Sequence, residues 1–213
     1  MAGFAERFHA LPGPLRAGIW ITVSAMSYAV MISAGRYLAP DIPVFEIAFL
    51  RNAFAILLML PWLMKVGLGA MRTRRIGRHV TRGMLSSINT VCLFGAVAYI
   101  PVADMSAITF LQPVIGSAIA GFILGEVVGP RRWFAILLGF VGALIVIRPG
   151  FAEFNIGIAY ALGSALAGAL VSIMIKTLVR TDTPDTIAAW LFVTQTSILA
   201  VPTLFVWGMP AWE

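Results

Sequence analysis

The chain has 213 residues, 60% hydrophobic and 11% charged, with a mean hydropathy of +0.94 and a formal net charge of +6. Soluble domains carry about 25% charged residues, so this composition excludes an ordinary soluble globule. The single cysteine, Cys92, excludes an intrachain disulfide.

Residues 1–16 form a short polar, Pro/Gly-containing lead. The apolar run from Ala17 to Leu38 is too long for a signal-peptide core and reads as an uncleaved membrane span. Six further spans are expected at 43–64, 83–100, 104–124, 133–148, 156–178 and 187–208, making seven. Each lies near the ~17–25 residues that cross a bilayer as a helix.

The basic residues orient these spans. With a cytoplasmic N-terminus, Arg7, Arg16, Lys65, Arg72, Arg74, Arg75, Arg78, Arg82, Arg131, Arg132, Lys176 and Arg180 all fall inside, twelve of fifteen. The positive-inside rule therefore predicts N-in and C-out. The basic loop 65–82 is read as a topology determinant touching anionic lipid. No aromatics interleave its arginines, so nucleic acid is not an expected partner.

The stretch from Tyr99 to Glu126 organises the chain. Pro113 follows Gln112 within an apolar run, and a mid-helix proline lacks an N–H and clashes with the carbonyl four residues back. A kinked helix is expected there, next to protein or a water-filled cavity that satisfies the freed carbonyl. Ser117, Gly121 and Gly125 form a small-residue ladder for close helix contact. Asp104 is expected to cap the N-terminus of this span.

The chain also matches itself at an offset of 140–141 residues. Ser24, Ala25, Ala29 and Leu38 meet Ser164, Ala165, Ala169 and Leu178, and Arg36 meets Lys176. One residue later, Pro43 and Pro61 meet Pro184 and Pro202. Five spans separate equivalent points, so the second copy enters the membrane from the other side. Inverted repeats are the architecture of secondary transporters, with the substrate near midplane between them. The expected fold is an all-α polytopic bundle: a five-helix repeat over 17–150 and two helices of a second over 156–213. The second copy lacks counterparts of spans three to five, as in a C-terminally truncated chain.

The 99–126 stretch, the R-R-W start of the next span, its L-L-G-F-V-G-A-L-I-V-I-R-P-G ending and F-E-I-A-F-L-R at 45–51 resemble an EamA-type member of the drug/metabolite transporter superfamily. The resemblance implies ten spans in two repeats, a central cavity, and movement of small metabolites or drugs, with export expected, across the plasma (cell inner) membrane.

Several polar residues inside spans are candidates for lining a substrate cavity. Arg51 sits about eight residues into its span, where a charge costs a few kcal/mol and usually faces a cavity or partner. Ser86 and Asn89 share a face with Arg82, Thr109 shares one with Gln112, and Tyr28 shares one with Trp20, Ser24 and Ser27. Gln195 is the candidate in the seventh span. For Arg51 the competing account is a fixed internal ion pair or a snorkelled side chain; for the others it is interhelical hydrogen bonding.

Glu46 and Glu126 are gate or coupling candidates, Glu126 as part of an inner gate pairing with Arg131 or Arg132; otherwise Glu46 is a solvated group near the outer interface and Glu126 a solvated terminus. The ladder Ser164, Gly168 and Ser172 reads as helix packing alone. No catalytic motif occurs, both histidines fall outside the expected spans, and a retinal protein would need a last-span lysine that is absent. Neither cofactor nor metal is expected; the partners are a small-molecule substrate, membrane lipids and a second copy in a homodimer. The alternative to transport is a truncated or assembly-dependent membrane scaffold.

Overall fold

A computed structural model of the chain describes residues 10–124, 129–147 and 155–207, and every regular element among them is helical. The helices are α1 (Gly13–Leu38), α2 (Val44–Val66), α3 (Ile76–Tyr99), α4 (Val102–Thr109), α5 (Leu111–Leu124), α6 (Pro130–Ile147), α7 (Ile156–Leu178) and α8 (Pro184–Val206). A 3-10 turn, Leu68–Met71, follows α2. Among the described residues, six spans rather than the expected seven are long and apolar enough to cross a membrane, α4 and α5 together making one; α6 contributes the shorter apolar stretch Trp133–Gly142. Glu126 and Arg148 lie outside the described residues.

Local chemistry sets the boundaries. Pro184 opens α8 behind Thr183, whose hydroxyl accepts from the Thr186 N–H at 3.3 Å. Asn155 caps α7 through the Gly157 N–H at 2.8 Å. At the other end of α2, Gly67 adopts φ 81°, a left-handed conformation that glycine takes without a Cβ penalty. Asp104 is not a cap: α4 starts at Val102 behind Pro101, leaving the exposed Asp104 in the first turn, where its charge still favours the helix dipole.

The expected kink is a full interruption. Pro113 offers no N–H to the Thr109 carbonyl, and the helix stops there. Phe110 turns its N–H back to Ala107 at 3.2 Å, while the Thr109 hydroxyl donates to the carbonyls of Met105 (2.8 Å) and Ser106 (2.9 Å).

One expected boundary is wrong. The third span is expected at 83–100, but α3 begins at Ile76, so the last seven residues of the basic loop are helix. Hydropathy truncates it because His79 and Arg82 are polar. Both are nevertheless buried, since the protein supplies partners: Arg82 Nη1 donates to the Ile187 carbonyl at 2.7 Å, and His79 stacks on Trp190 and lies 3.5 Å from Asp182.

Helix α3 is the centre of the bundle. α7 and α8 pack against it, α2 packs on α8, and α5 on α7. The core joins Phe94, Ala96 and Val97 of α3 to Ala161 and Ala165 of α7, Ile47 and Ala48 of α2, and Leu199 of α8. Alanine and glycine at the α3–α7 crossing let the backbones approach closely, the main source of helix association in a lipid solvent. Arg36, at the end of α1, donates to the carbonyls of Val97 and Ile100 and so satisfies the last turn of α3.

α1 is different. Only Ile32 and Gly35 are buried, Gly35 against the Phe94 ring. Ile21 is 68% and Tyr28 49% exposed, whereas their sequence counterparts in α7, Ala161 and Gly168, are buried.

Candidate functional site

Three α-helices converge where the fourth span is broken. Asn89 on α3 donates from Nδ2 to the Ser164 carbonyl (2.7 Å) and hydroxyl (3.2 Å) on α7. Gln112 on α5 reaches the Ser172 hydroxyl at 3.4 Å, and that hydroxyl donates to the Gly168 carbonyl at 2.9 Å. Gly168 lies between the two amides. A Cβ there would stand 2.6 Å from Gln112 Oε1 and 2.9 Å from Asn89 Nδ2, so the missing side chain makes the notch that holds both.

A cavity of about 270 Å³ opens beside this seam, lined by Gln112, Pro113, Gly116, Ser117, Ser172, Ile173 and Lys176. It combines amide, hydroxyl and ammonium groups with the apolar face of the broken helix. Such a mixture binds and orients a polar small molecule. The Ser164–Gly168–Ser172 ladder, expected as helix packing, brings its serines and the Gly168 gap against the amides that the sequence nominated as cavity residues. Lys176 and Ser172 were not among the nominated residues. The signal that could have found them is the coincidence of a small-residue ladder with hydrogen-bonding side chains at helical spacing.

The other candidates lie elsewhere. Arg51 borders an apolar groove of about 270 Å³ with Met31, Gly35, Ile47, Phe54 and Phe94. Its Nη1 is 3.4 Å from the Met31 sulfur, it has no carboxylate partner among the described residues, and Tyr28 is within electrostatic reach. Ser86 and Gln195 belong to the α3–α8 contact, where Gln195, 1% exposed, donates to the Ser86 carbonyl (3.1 Å) and the Thr90 hydroxyl (2.7 Å). Both Gln195 donor protons are used within the protein. Thr109 is occupied by its own backbone at the break. The polar stripe of α3 therefore meets α8 at Arg82 and Ser86, and α7 at Asn89.

Glu46 is not a solvated interfacial group: it is 2% exposed, and its Oε2 has no hydrogen-bond partner among the described residues. Phe45, its neighbour, accepts from the Thr203 hydroxyl of α8 at 3.2 Å, which locates the acid close to the α2–α8 contact.

The arrangement gives a specific expectation for Arg51. With Met31 as its only hydrogen-bonding neighbour among the described residues, its charge is largely uncompensated there, and a charge within a span costs about 2.5–3.5 kcal/mol on insertion scales. Arg51→Gln should leave folding intact or raise the unfolding temperature. If Arg51 serves an anionic group of the substrate, the apparent affinity for that substrate falls roughly tenfold, as about 1.4 kcal/mol implies. Thermal unfolding reads the first effect, and flux assays over a substrate series read the second.

Comparison with known proteins agrees with this architecture. Residues 15–148 match the EamA-like transporter family. A riboflavin transporter of Vibrio cholerae is 30% identical over 201 residues, covering 92% of this chain and 67% of its own length. An S-adenosylmethionine uptake transporter of Rickettsia prowazekii is 28% identical over 74% of this chain and 53% of its own. A pseudopaline exporter of Pseudomonas aeruginosa is 25% identical, over 90% and 67% respectively. The chain thus spans between about half and two thirds of the length of these relatives. The family match covers the first six helices, including the broken fourth span and both amides of the seam, and the chain belongs to the EamA-like transporter family.

Proposed function

We propose that this chain is the greater part of a secondary transporter that moves a small polar metabolite across the plasma membrane by alternating access. The observation that carries the reading is the amide–hydroxyl seam of Asn89, Gln112, Gly168 and Ser172 beside a cavity at a broken helix. Half-buried hydrogen-bonding groups at an interrupted helix are what a transporter needs to exchange water for substrate and substrate for water.

The two halves are related by inversion in this reading, with the N-terminus cytoplasmic. The loop bearing Arg72, Arg74 and Arg75 and the turn at Thr181–Asp182 line one cavity, which supports their placement on the same side. In the whole protein, a counterpart of α3 would lie on the Ser24–Tyr28 face of α1 as α3 lies on the Ser164–Gly168 face of α7. Riboflavin, carried by several similar proteins, is the first substrate to test: its ring imide pairs donors with acceptors as the Asn89 and Gln112 amides do. The relatives include an uptake transporter and an exporter, so the expected export is measured against uptake.

The test is flux of labelled riboflavin and S-adenosylmethionine, in both directions, in proteoliposomes bearing the full-length protein. Saturable flux that falls about tenfold or more in Asn89→Ala and Gln112→Ala supports the reading; a folded protein with no saturable flux of any small polar solute favours the scaffold. Pro113→Ala supplies a second check. By restoring an N–H for the Thr109 carbonyl and removing a penalty of about 3 kcal/mol, it should join α4 to α5. The expected result is higher thermal stability with several-fold slower flux.

A further inference from the structure

A second cavity lies at the opposite end of α3 from Tyr99, away from the seam. It has a volume of about 450 Å³ and is lined by Arg72, Thr73, Arg74, Arg75, Thr181 and Asp182. Three of four consecutive residues are arginines. A topology determinant requires only that such charges stay on one side of the membrane; here all three border the same concavity.

The cavity is held open by specific contacts. Trp190 Nε1 donates to the Met71 carbonyl at 2.9 Å, fixing the start of the arginine segment on α8. The Arg72 N–H returns to Gly69 at 3.1 Å, and the Arg75 N–H to the Thr73 hydroxyl at 3.0 Å. Across the gap, the N–H groups of Thr181 and Asp182 both donate to the Leu178 carbonyl at 2.9 Å.

Its charges are unequal. Asp182 is the one acid in the lining, and its Oδ2 is already engaged by the Thr181 hydroxyl at 3.1 Å and by His79 at 3.5 Å. None of the three arginines has a carboxylate partner among the described residues. α3 begins immediately after Arg75 with no acidic residue in its first turn and no side-chain cap, so its dipole adds positive potential. Guanidinium groups match phosphate oxygens in bidentate geometry, and the volume falls within the range of small-molecule sites rather than that of a bare ion.

We propose that this cavity is a binding site for a phosphate ester, with the phosphoryl group held by Arg72, Arg74 and Arg75. The phosphoryl group can come from a phospholipid of the adjoining leaflet or from a soluble phosphate ester. Trp62 and Arg72 share the neighbouring cavity of about 390 Å³, so an aromatic side chain of the kind enriched at membrane interfaces lines the same cavity as one of the arginines.

The test uses the full-length protein in vesicles of phosphatidylglycerol and phosphatidylcholine, with phospholipid retention read by native mass spectrometry. Inorganic phosphate and glycerol 3-phosphate are the soluble competitors. Arg72→Gln/Arg75→Gln should lose phosphatidylglycerol retention about tenfold, while Lys65→Gln/Arg180→Gln, removing the same charge from the same side, should lose less than twofold. If the double variant does not insert, Arg74→Gln is read in its place, with a loss of about threefold expected.

Loss of phosphatidylglycerol that the soluble competitors do not displace assigns the site to lipid. Displacement by glycerol 3-phosphate, or binding of inorganic phosphate that disappears in the arginine variants, assigns it to a soluble ester. The proposal is overturned if phosphatidylglycerol is retained no better than phosphatidylcholine and neither soluble phosphate binds. It is equally overturned if the control pair loses as much as the arginine pair.

Discussion

Gly168→Leu is expected to cut substrate flux at least tenfold, and by much more than it lowers thermal stability. Even the first carbon of the new side chain would stand 2.6 Å from Gln112 Oε1, 2.7 Å from Gln112 Cδ and 2.9 Å from Asn89 Nδ2. All three atoms are the ends of flexible side chains, so the helices need not separate; the amides swing out instead. That movement breaks the Asn89–Ser164 bonds and takes Gln112 from Ser172. Interhelical hydrogen bonds in membranes contribute about 0.6 kcal/mol each, so the cost to folding is small.

Gly168→Ala sharpens the test. Alanine is the better helix former by about 1 kcal/mol, which offsets much of the loss, so this variant should melt near the parent temperature. Its flux should still drop several-fold, because the displaced amides are the groups argued to meet substrate. Flux and unfolding measured on the same preparations decide the matter. If both fall together, or neither does, the notch is packing and the seam is not the site.

The second large effect is on stability. Gly83→Leu should destabilise the protein by about 2–4 kcal/mol, the cost of an overpacked contact plus the hydrogen bonds lost with it. Gly83 faces Thr194 so closely that a Cβ would stand 2.6 Å from Thr194 Cβ and 3.6 Å from its backbone carbon. Thr194 has little room to yield: it is branched at that carbon, and its hydroxyl donates to the Trp190 carbonyl at 2.6 Å. Separation of α3 from α8 is therefore the available response.

Separation would strand the buried polar groups on both sides of Gly83, namely the Arg82–Ile187 bond and the bonds of Gln195 to Ser86 and Thr90. Gly77→Leu is the control, since a Cβ at Gly77 meets nothing within 4 Å. It should be neutral or slightly stabilising. Denaturant or thermal unfolding in detergent reads both variants; equal behaviour would show that the α3–α8 crossing is not the tight joint described here.

These two glycines mark where local reading ends. Both were visible in the sequence, one within a small-residue ladder and one at an expected helix start, but nothing local says which neighbour needs the space. The same holds for Arg36, whose role is to satisfy the last turn of α3 some sixty residues away. It holds again for Glu46 and His79, which hydropathy assigned to interface and loop and the fold buries.

The sequence by itself determined the membrane class, the approximate bounds of most spans, and the break at Pro113, because each follows from chain-local quantities: apolar length against bilayer thickness, and a missing N–H; of the seven spans expected, six are long and apolar enough to cross among the described residues, the 133–148 run being shorter. Its residue matches also pointed to the family. Only the tertiary structure decided that Asn89 and Gln112 meet at Gly168, that Arg51 borders a separate groove, and that Gln195 is spent on α3. Helical spacing shows which residues share a face; which helix that face meets depends on the close approach that Gly83, Gly168 and the buried alanines permit between segments distant in sequence.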